Sequence, residues 1–320
     1  MRPLVTGAGG FIGAHVVAVL ARGGAEVRGF DLGEPPPGLP VADWVRGDVL
    51  DAAALAGAAG GCDAVFHLAA LYSYYRRDAE AMMRVNVEGT RNALAAAGGR
   101  RLVMTSSAAT CGPVPGRPAD ERDRPPAWEL KVAYKRSKLE SERLALDAAA
   151  SGRDVVVVNP TTPVGPGDRR PTPTGKMIRD VASGRAPGYV RTTALNVVSV
   201  EDVATGHALA YERGRSGERY LLGGEDMTLR ELFAAVAELA GRRPPRLAIP
   251  FRPLLAAAWT ADRGLALVGR EPNLLVLDEV RLARLPASFT SEKAQRELGY
   301  KWRPAKQALA EAVQELRTKH

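Results

Sequence analysis

Cysteine is scarce in this chain. Its two cysteines, Cys62 and Cys111, lie far apart without a CxxC spacing, so a disulfide framework is not indicated. The four histidines, His15, His67, His207 and His320, do not cluster with them, and no metal site is expected. Long apolar runs are missing too: none reaches the roughly 18 residues that a membrane span needs. Glycines also break up MRPLVTGAGGFIG before a signal-peptide core can form. The expectation is a cytoplasmic protein without an integral membrane segment. Blocks of like charge are absent as well. The net charge of +8 comes from 44 Lys and Arg against 36 Asp and Glu, scattered as singles and pairs without aromatic interleaving. That pattern argues against nucleic acid as a partner, while an anionic cofactor or substrate can use part of the charge.

What is present is alternation. RPLVT, EVRGF, DAVFHL, RLVMTS and DVVVVN read as buried strands, with helices predicted near 11–22, 75–97 and 131–150. Such βαβ units give an α/β fold with a doubly wound parallel sheet. The 320 residues have room for a smaller partner domain. From Pro160 to Gly188 the texture, PTTPVGPGDRRPTPTG, is too rich in Pro and Gly for a regular element and predicts a loop leaving the sheet. NVVSVEDVATGHALAYERG then predicts a strand and helix that return to it. The nucleotide-binding domain is therefore placed at 1–160 plus about 195–215, and a mostly C-terminal α+β substrate domain at about 161–194 and 216–320. The apolar stretch at 250–268 is expected to pack in that second domain rather than lie on a membrane surface.

LVTGAGGFIG sets Gly7, Gly10 and Gly13 after the first strand and at the opening of a helix, with Phe11 and Ile12 in the same turn. Glycines there let the backbone approach a pyrophosphate, while the helix N-terminus offers unpaired N–H groups. Asp31, closing the second strand, can accept from ribose hydroxyls and repel a 2′-phosphate, which favours NAD over NADP. The plainer alternative is that it caps the turn DLGEPPPG. Arg28, nearby in sequence, softens that preference. Asp48, in GDVL, is placed to meet an adenine edge, and a turn or N-cap acid reads nearly as well.

VAYKRSKLESER puts Tyr134 and Lys138 one helical turn apart, facing one cleft. A phenol is a poor base at neutral pH, but an adjacent ammonium and a positive nicotinamide ring both favour the phenolate. TSSAAT follows a strand and sets hydroxyls at its C-terminal end, where open α/β sheets bind ligands. Ser107 is the choice for holding a reacting oxygen. Thr105 and Ser106 are read as backbone or cofactor contacts. Asn86 and Lys176 read more safely as a structural amide and a solvated lysine.

Together TGAGGFIG, GDVL, HLAA, NVEGT, TSSAAT, YKRSK and NPTTPVGP resemble the extended short-chain dehydrogenase/reductases, the NAD-dependent epimerase/dehydratase group, over nearly the full length. The resemblance implies a Rossmann-type sheet and catalytic roles for Ser107, Tyr134 and Lys138. It further implies cofactor contacts through Val49, through Leu68, Ala69 and Ala70, and through Pro160, Thr162 and Val164. A homodimer built partly from the Tyr–Lys helix is implied as well. NVEGTRNAL, AYKRSKLESER, DRRPTPTGKMI and GERYLLGGEDMTLREL are similar to hopanoid-associated sugar epimerases and to dihydroflavonol-reductase-like proteins.

Two departures bear on substrate. The position where sugar-nucleotide epimerases carry a diphosphate arginine is Leu195, followed by Asn196, and Arg281 and Arg284 are out of register for a second one. LYSYYRRD, residues 71 to 78, instead offers aromatics that can flank a flat or lipophilic molecule. The expectation is hydride transfer at a secondary alcohol or ketone of a small sugar-like or lipophilic polycyclic substrate. A NAD-retaining 4-epimerase is the runner-up. A non-catalytic sensor would have no need of all three side chains.

Overall fold

A computed structural model of the chain describes residues 1–267, 270–272 and 276–318; Val268, at the end of the apolar stretch, and His320 lie outside the described residues. The five strands expected in the first half form as β1 (Pro3–Thr6), β2 (Arg28–Asp31), β4 (Ala64–His67), β5 (Arg101–Thr105) and β6 (Val155–Pro160), with β3 (Asp43–Arg46) following β2 in the chain. Every residue of β1, β4 and β6 is buried, as parallel strands covered on both faces require. On one face α1 (Phe11–Arg22) lays Val16, Val17 and Leu20 into the core. On the other lie α2 (Ala52–Ala59), α4 (Gly89–Ala97) and α5 (Ala133–Ala150), which contribute Leu55, Leu94 and Ala145. The helical stretch at 75–97 is segmented: α3 (Ala79–Met83) runs into a π-helical turn, Arg84–Glu88, before α4. Helix α2 was not foreseen. It is short and nearly all alanine, yet Asp51 caps it by accepting from the N–H groups of Ala53 and Ala54.

The stretch from Pro160 to Gly188 is more ordered than its composition predicts. It contains β7 (Thr162–Val164), α6 (Pro173–Ala182) and the start of β8 (Gly188–Val190). Proline breaks a helix only in its interior; Pro173 sits in the first turn, where no N–H bond is lost, and Thr172 caps it by accepting from Gly175 N at 3.0 Å. Next come β9 (Ala194–Ser199) and α7 (Val200–Arg213). The helix returns to the main sheet, packing beside α1, but the strand does not. Strand β10 (Arg219–Leu222) pairs in parallel with β6, so residues expected beyond the boundary at 216 complete the seven-stranded sheet, ordered β3-β2-β1-β4-β5-β6-β10. β9 instead lies between β7 and β11 (Glu225–Thr228) in a three-stranded sheet.

The smaller core gathers Val164, Ile178 and Val197 with Leu232, Phe233 and Val236 of α8 (Leu229–Leu239) and Leu309 of α12 (Ala305–Thr318). Between these helices the chain forms β12 (Leu247–Ile249), paired with β8, and then α9 (Phe251–Ala266), α10 (Leu277–Leu282) and α11 (Glu292–Leu298). Strand order reverses between β1 and β4, and the crevice at their C-terminal ends is where an open α/β sheet takes its ligand.

Candidate active site

The glycine loop closes that crevice. Gly7 has φ +68°, and a Cβ there would stand 2.7 Å from Ala69 N; one on Gly13 would stand 2.0 Å from Gly7 O. Leu68 and Ala69 therefore press directly on the turn. Among the described residues no side chain caps helix α1, so its first N–H groups are left without a side-chain acceptor. Asp31 ties this loop to β2, accepting from Gly9 N at 2.9 Å and Leu32 N at 2.8 Å. Arg28 is not its neighbour: it sits at the opposite end of β2, committed to Asp43 and to the carbonyls of Ala58 and Gly60. The basic residue beside Asp31 is Arg46, paired with it across β2 and β3 and bound to Leu32 O. Sequence order hides that proximity because only strand register creates it. Asp48 accepts from Leu50 N at 3.0 Å, and the Val49 side chain is buried in the core. Pro160 closes β6, with Thr162 and Val164 on β7 just beyond.

Tyr134 and Lys138 stand on α5 beside the end of β5. Lys138 is 5 % exposed and donates to Thr105 O at 2.8 Å. Burial lowers its pKa to about 8, opposed by the Glu142 carboxylate. Burial also raises the Tyr134 pKa, and the neighbouring Ser107 side chain only partly offsets this. The expected phenolate is thus not favoured by the protein's own groups, because desolvation outweighs them. Ser107 accepts from Ala109 N at 3.2 Å. Its carbonyl accepts from Thr110 Oγ1 (2.8 Å) and Asn159 Nδ2 (3.1 Å). Asn159 Nδ2 also donates to Glu142 at 2.6 Å, the single Thr110 hydroxyl hydrogen is shared between Ser107 O and the same Glu142 oxygen at 2.7 Å, and the other Glu142 oxygen takes Arg219 Nη1 at 2.7 Å. This frame was missed in the sequence, although Glu142 recurs four residues after Lys138 on one helix face.

The Thr105 hydroxyl is turned away from the cleft. His207 Nδ1 donates to Val203 O at 2.8 Å, leaving Nε2 to accept from Thr105 Oγ1 at 2.8 Å, and burial lowers the imidazole pKa to about 4. The Ser106 hydroxyl is buried without a partner among the described residues. Asn86, in the π-helical turn, clamps both the N–H and the carbonyl of Leu71 and donates to Ser137, whose hydroxyl bonds Tyr134 O. Both ends of the Asn86 amide are thus engaged by groups of the protein itself. Above Tyr134 lie Tyr72 (ring centroids 4.4 Å apart) and Tyr74 (6.0 Å), their hydroxyls 2.9 Å from each other. Tyr72 remains 40 % exposed. Leu195 packs into the smaller core, and Asn196 is spent on Asp226 and on the carbonyls of Gly224 and Phe289. Arg281 pairs with Asp278, and Arg284 lies over the Trp128 ring. Lys176 is exposed on α6.

Residues 3–223 match the NAD dependent epimerase/dehydratase family. The chain belongs to this family. A Synechocystis sp. protein provisionally named dihydroflavonol 4-reductase is 41% identical over 97% of this chain and 92% of its own length. "Sterol demethylase protein B" of Methylococcus capsulatus is 34% identical over 98% of this chain and 97% of its own. Among solved structures, MoeE5 in complex with UDP-glucuronic acid and NAD has a TM-score of 0.79 at 26% identity and covers 100% of both chains. As a member of the epimerase/dehydratase family, the protein is an enzyme of the NAD(P)-dependent oxidoreductase/epimerase class. Its residues fit a nicotinamide dinucleotide: the Gly7 and Gly13 positions leave no room for a Cβ, and at the end of β5 the buried Ser106 hydroxyl lacks a partner among the described residues.

Proposed function

We propose that the protein transfers a hydride between NAD and a secondary alcohol or ketone carbon of a flat, lipophilic or sugar-like substrate, with Tyr134 as acid/base. The observation that carries this is Tyr134 one helical turn from the buried Lys138, whose ammonium donates to Thr105 O two residues before Ser107, with Tyr72 and Tyr74 over the phenol. Bound NAD supplies the hydride acceptor or donor. Gly7, Gly10, Phe11, Ile12 and Gly13 would cradle its pyrophosphate, Asp31 its adenosine ribose, and Asp48 with Val49 the adenine edge. Leu68, Ala69, Ala70 and Thr105 would line it, with Pro160, Thr162 and Val164 at the nicotinamide end. Ser107 holds the substrate oxygen, and Tyr134 moves the proton at that oxygen. Lys138, a cation below about pH 8, sets the local charge and holds the nicotinamide ribose. The protonated phenol is the form that donates to a carbonyl oxygen, and burial holds Tyr134 in that form.

NAD is the proposed coenzyme because the Asp31 oxygens each take a single N–H donor and keep lone pairs for ribose hydroxyls. A flat lipophilic substrate is supported by the tyrosine roof, by Leu195 in place of an arginine, and by the similarity to a protein named for sterol demethylation. Epimerisation of a nucleotide sugar with retained NAD is the second reading, supported by the similarity to a structure holding UDP-glucuronic acid and NAD. Incubating the purified protein with NADH and polycyclic ketones, and separately with UDP-sugars, separates the two. Net NADH consumption supports hydride transfer to substrate; a UDP-sugar product without net redox change sinks it in favour of epimerisation. A homodimer through α5 and a cytoplasmic location belong to the same reading, tested by sedimentation equilibrium and by cell fractionation.

A further inference from the structure

The surface furthest from explanation is the outer face of α9. Its inner face packs Phe251, Leu254, Leu255 and Ala258 on Leu277 and Val280 of α10. The outer face is left with Trp259 at 50% exposure, Arg252 and Arg263, small residues, and then Leu267 at 89%. Strand β12, directly before the helix, exposes Leu247 at 60%. Residues 241–270 hold six arginines, Arg242, Arg243, Arg246, Arg252, Arg263 and Arg270, and a single acid, Asp262. That is 6 − 1 = +5 of the chain's net +8. All six arginines are exposed, and among the described residues none has an acidic partner within 4.0 Å. Asp262 faces inward and pairs with Arg76.

We propose that this face docks on an anionic phospholipid bilayer beside the mouth of the substrate cleft. Exposed indole and leucine side chains among unpaired arginines suit the boundary between headgroups and acyl chains, where apolar contact and attraction to anionic lipid act together. A second copy of the chain is the poorer occupant, because a two-fold contact would set six arginines against six. A polyanion such as nucleic acid would use the arginines but not Leu247 and Leu267. The helix is joined to the mouth: Arg76 lies 3.5 Å from Asp262 and 3.7 Å from Glu271, and Glu271 also accepts from Arg77 N at 3.0 Å. Those arginines follow the Tyr72–Tyr74 pair in the chain, so a lipophilic substrate would reach Tyr134 from the lipid side.

The docking rests on this surface and not on the reaction, so its failure leaves the hydride-transfer reading standing. The test floats the full-length protein with phosphatidylcholine vesicles and with phosphatidylcholine–phosphatidylglycerol vesicles. Binding is expected only to the second and should be lost at high salt. Arg242→Gln, Arg243→Gln and Arg246→Gln should each weaken it about fivefold. Trp259→Ser with Leu267→Ser should abolish it while thermal unfolding stays unchanged. Three results overturn the proposal: no flotation with phosphatidylglycerol at low salt, flotation of the Trp259→Ser and Leu267→Ser variant equal to wild type, or binding to heparin in place of vesicles.

Discussion

Replacing Glu142 separates the chemistry from the frame beneath it. The carboxylate is 1% exposed and holds Thr110, Asn159 and Arg219, and the first two of these fix the Ser107 carbonyl. In Glu142→Ala, Arg219 stays buried at 6% exposure without its hydrogen-bonded counter-ion, and removing one partner of such a pair costs about 3–5 kcal/mol. Glu142→Gln keeps the shape but turns one acceptor into a donor. Asn159 can rotate to meet it, because its Oδ1 has no partner among the described residues, but Nδ2 then leaves Ser107 O. The Gln variant should lose only about 1–3 kcal/mol in urea denaturation. Its kcat should fall about 10- to 100-fold with KM little changed, because a misplacement of roughly 1 Å at the reacting oxygen costs that much. The double variant Glu142→Leu, Arg219→Met is the sharper arm. An apolar pair of similar volume restores stability, while the Ser107 frame stays broken, so kcat should remain low. Full activity in either the Gln or the double variant would show that this network supports the fold alone and refute the reasoning.

Tyr134→Phe should lower kcat about 10²- to 10⁴-fold while NADH binding, read by fluorescence, is unchanged; unaltered turnover would remove Tyr134 as the acid/base. Lys138 has a native pKa near 8 against 10.5 in the unfolded chain, so below pH 8 the native state bears the full cost of a buried ammonium, and that cost is relieved as pH rises. Relative to Lys138→Met, wild-type unfolding free energy should gain about 2 kcal/mol between about pH 7 and 9.5, and a loss over that window contradicts the burial argument. Asp31→Ala should weaken NAD by about 1.5–3 kcal/mol in calorimetry and narrow the gap to NADP, because Arg46 remains beside the site. Equal affinity of wild type for both coenzymes would remove Asp31 as the discriminator.

Local chemistry written into consecutive residues was legible in the sequence. Unbroken apolar runs marked β1, β4, β5 and β6, since burial on both faces demands them. Glycines with no room for a Cβ marked the turn at Gly7–Gly13, and an i, i+4 spacing put Tyr134 and Lys138 on one face. Composition misled where position within an element mattered: Pro173 opens α6 instead of breaking it, and alanines alone hid α2. The rest belongs to partners distant in the chain. Arg46 reaches Asp31 only through strand register, His207 claims Thr105 across 102 residues, and Arg219 meets Glu142 across 77 because β10 adds itself to the edge of β6. The proton balance of the site was decided there as well. Sequence supplies a phenol and an ammonium, but how far each is removed from water depends on the packing of Tyr72, Tyr74 and β5 around them, and that burial sets which of the two holds its proton more tightly.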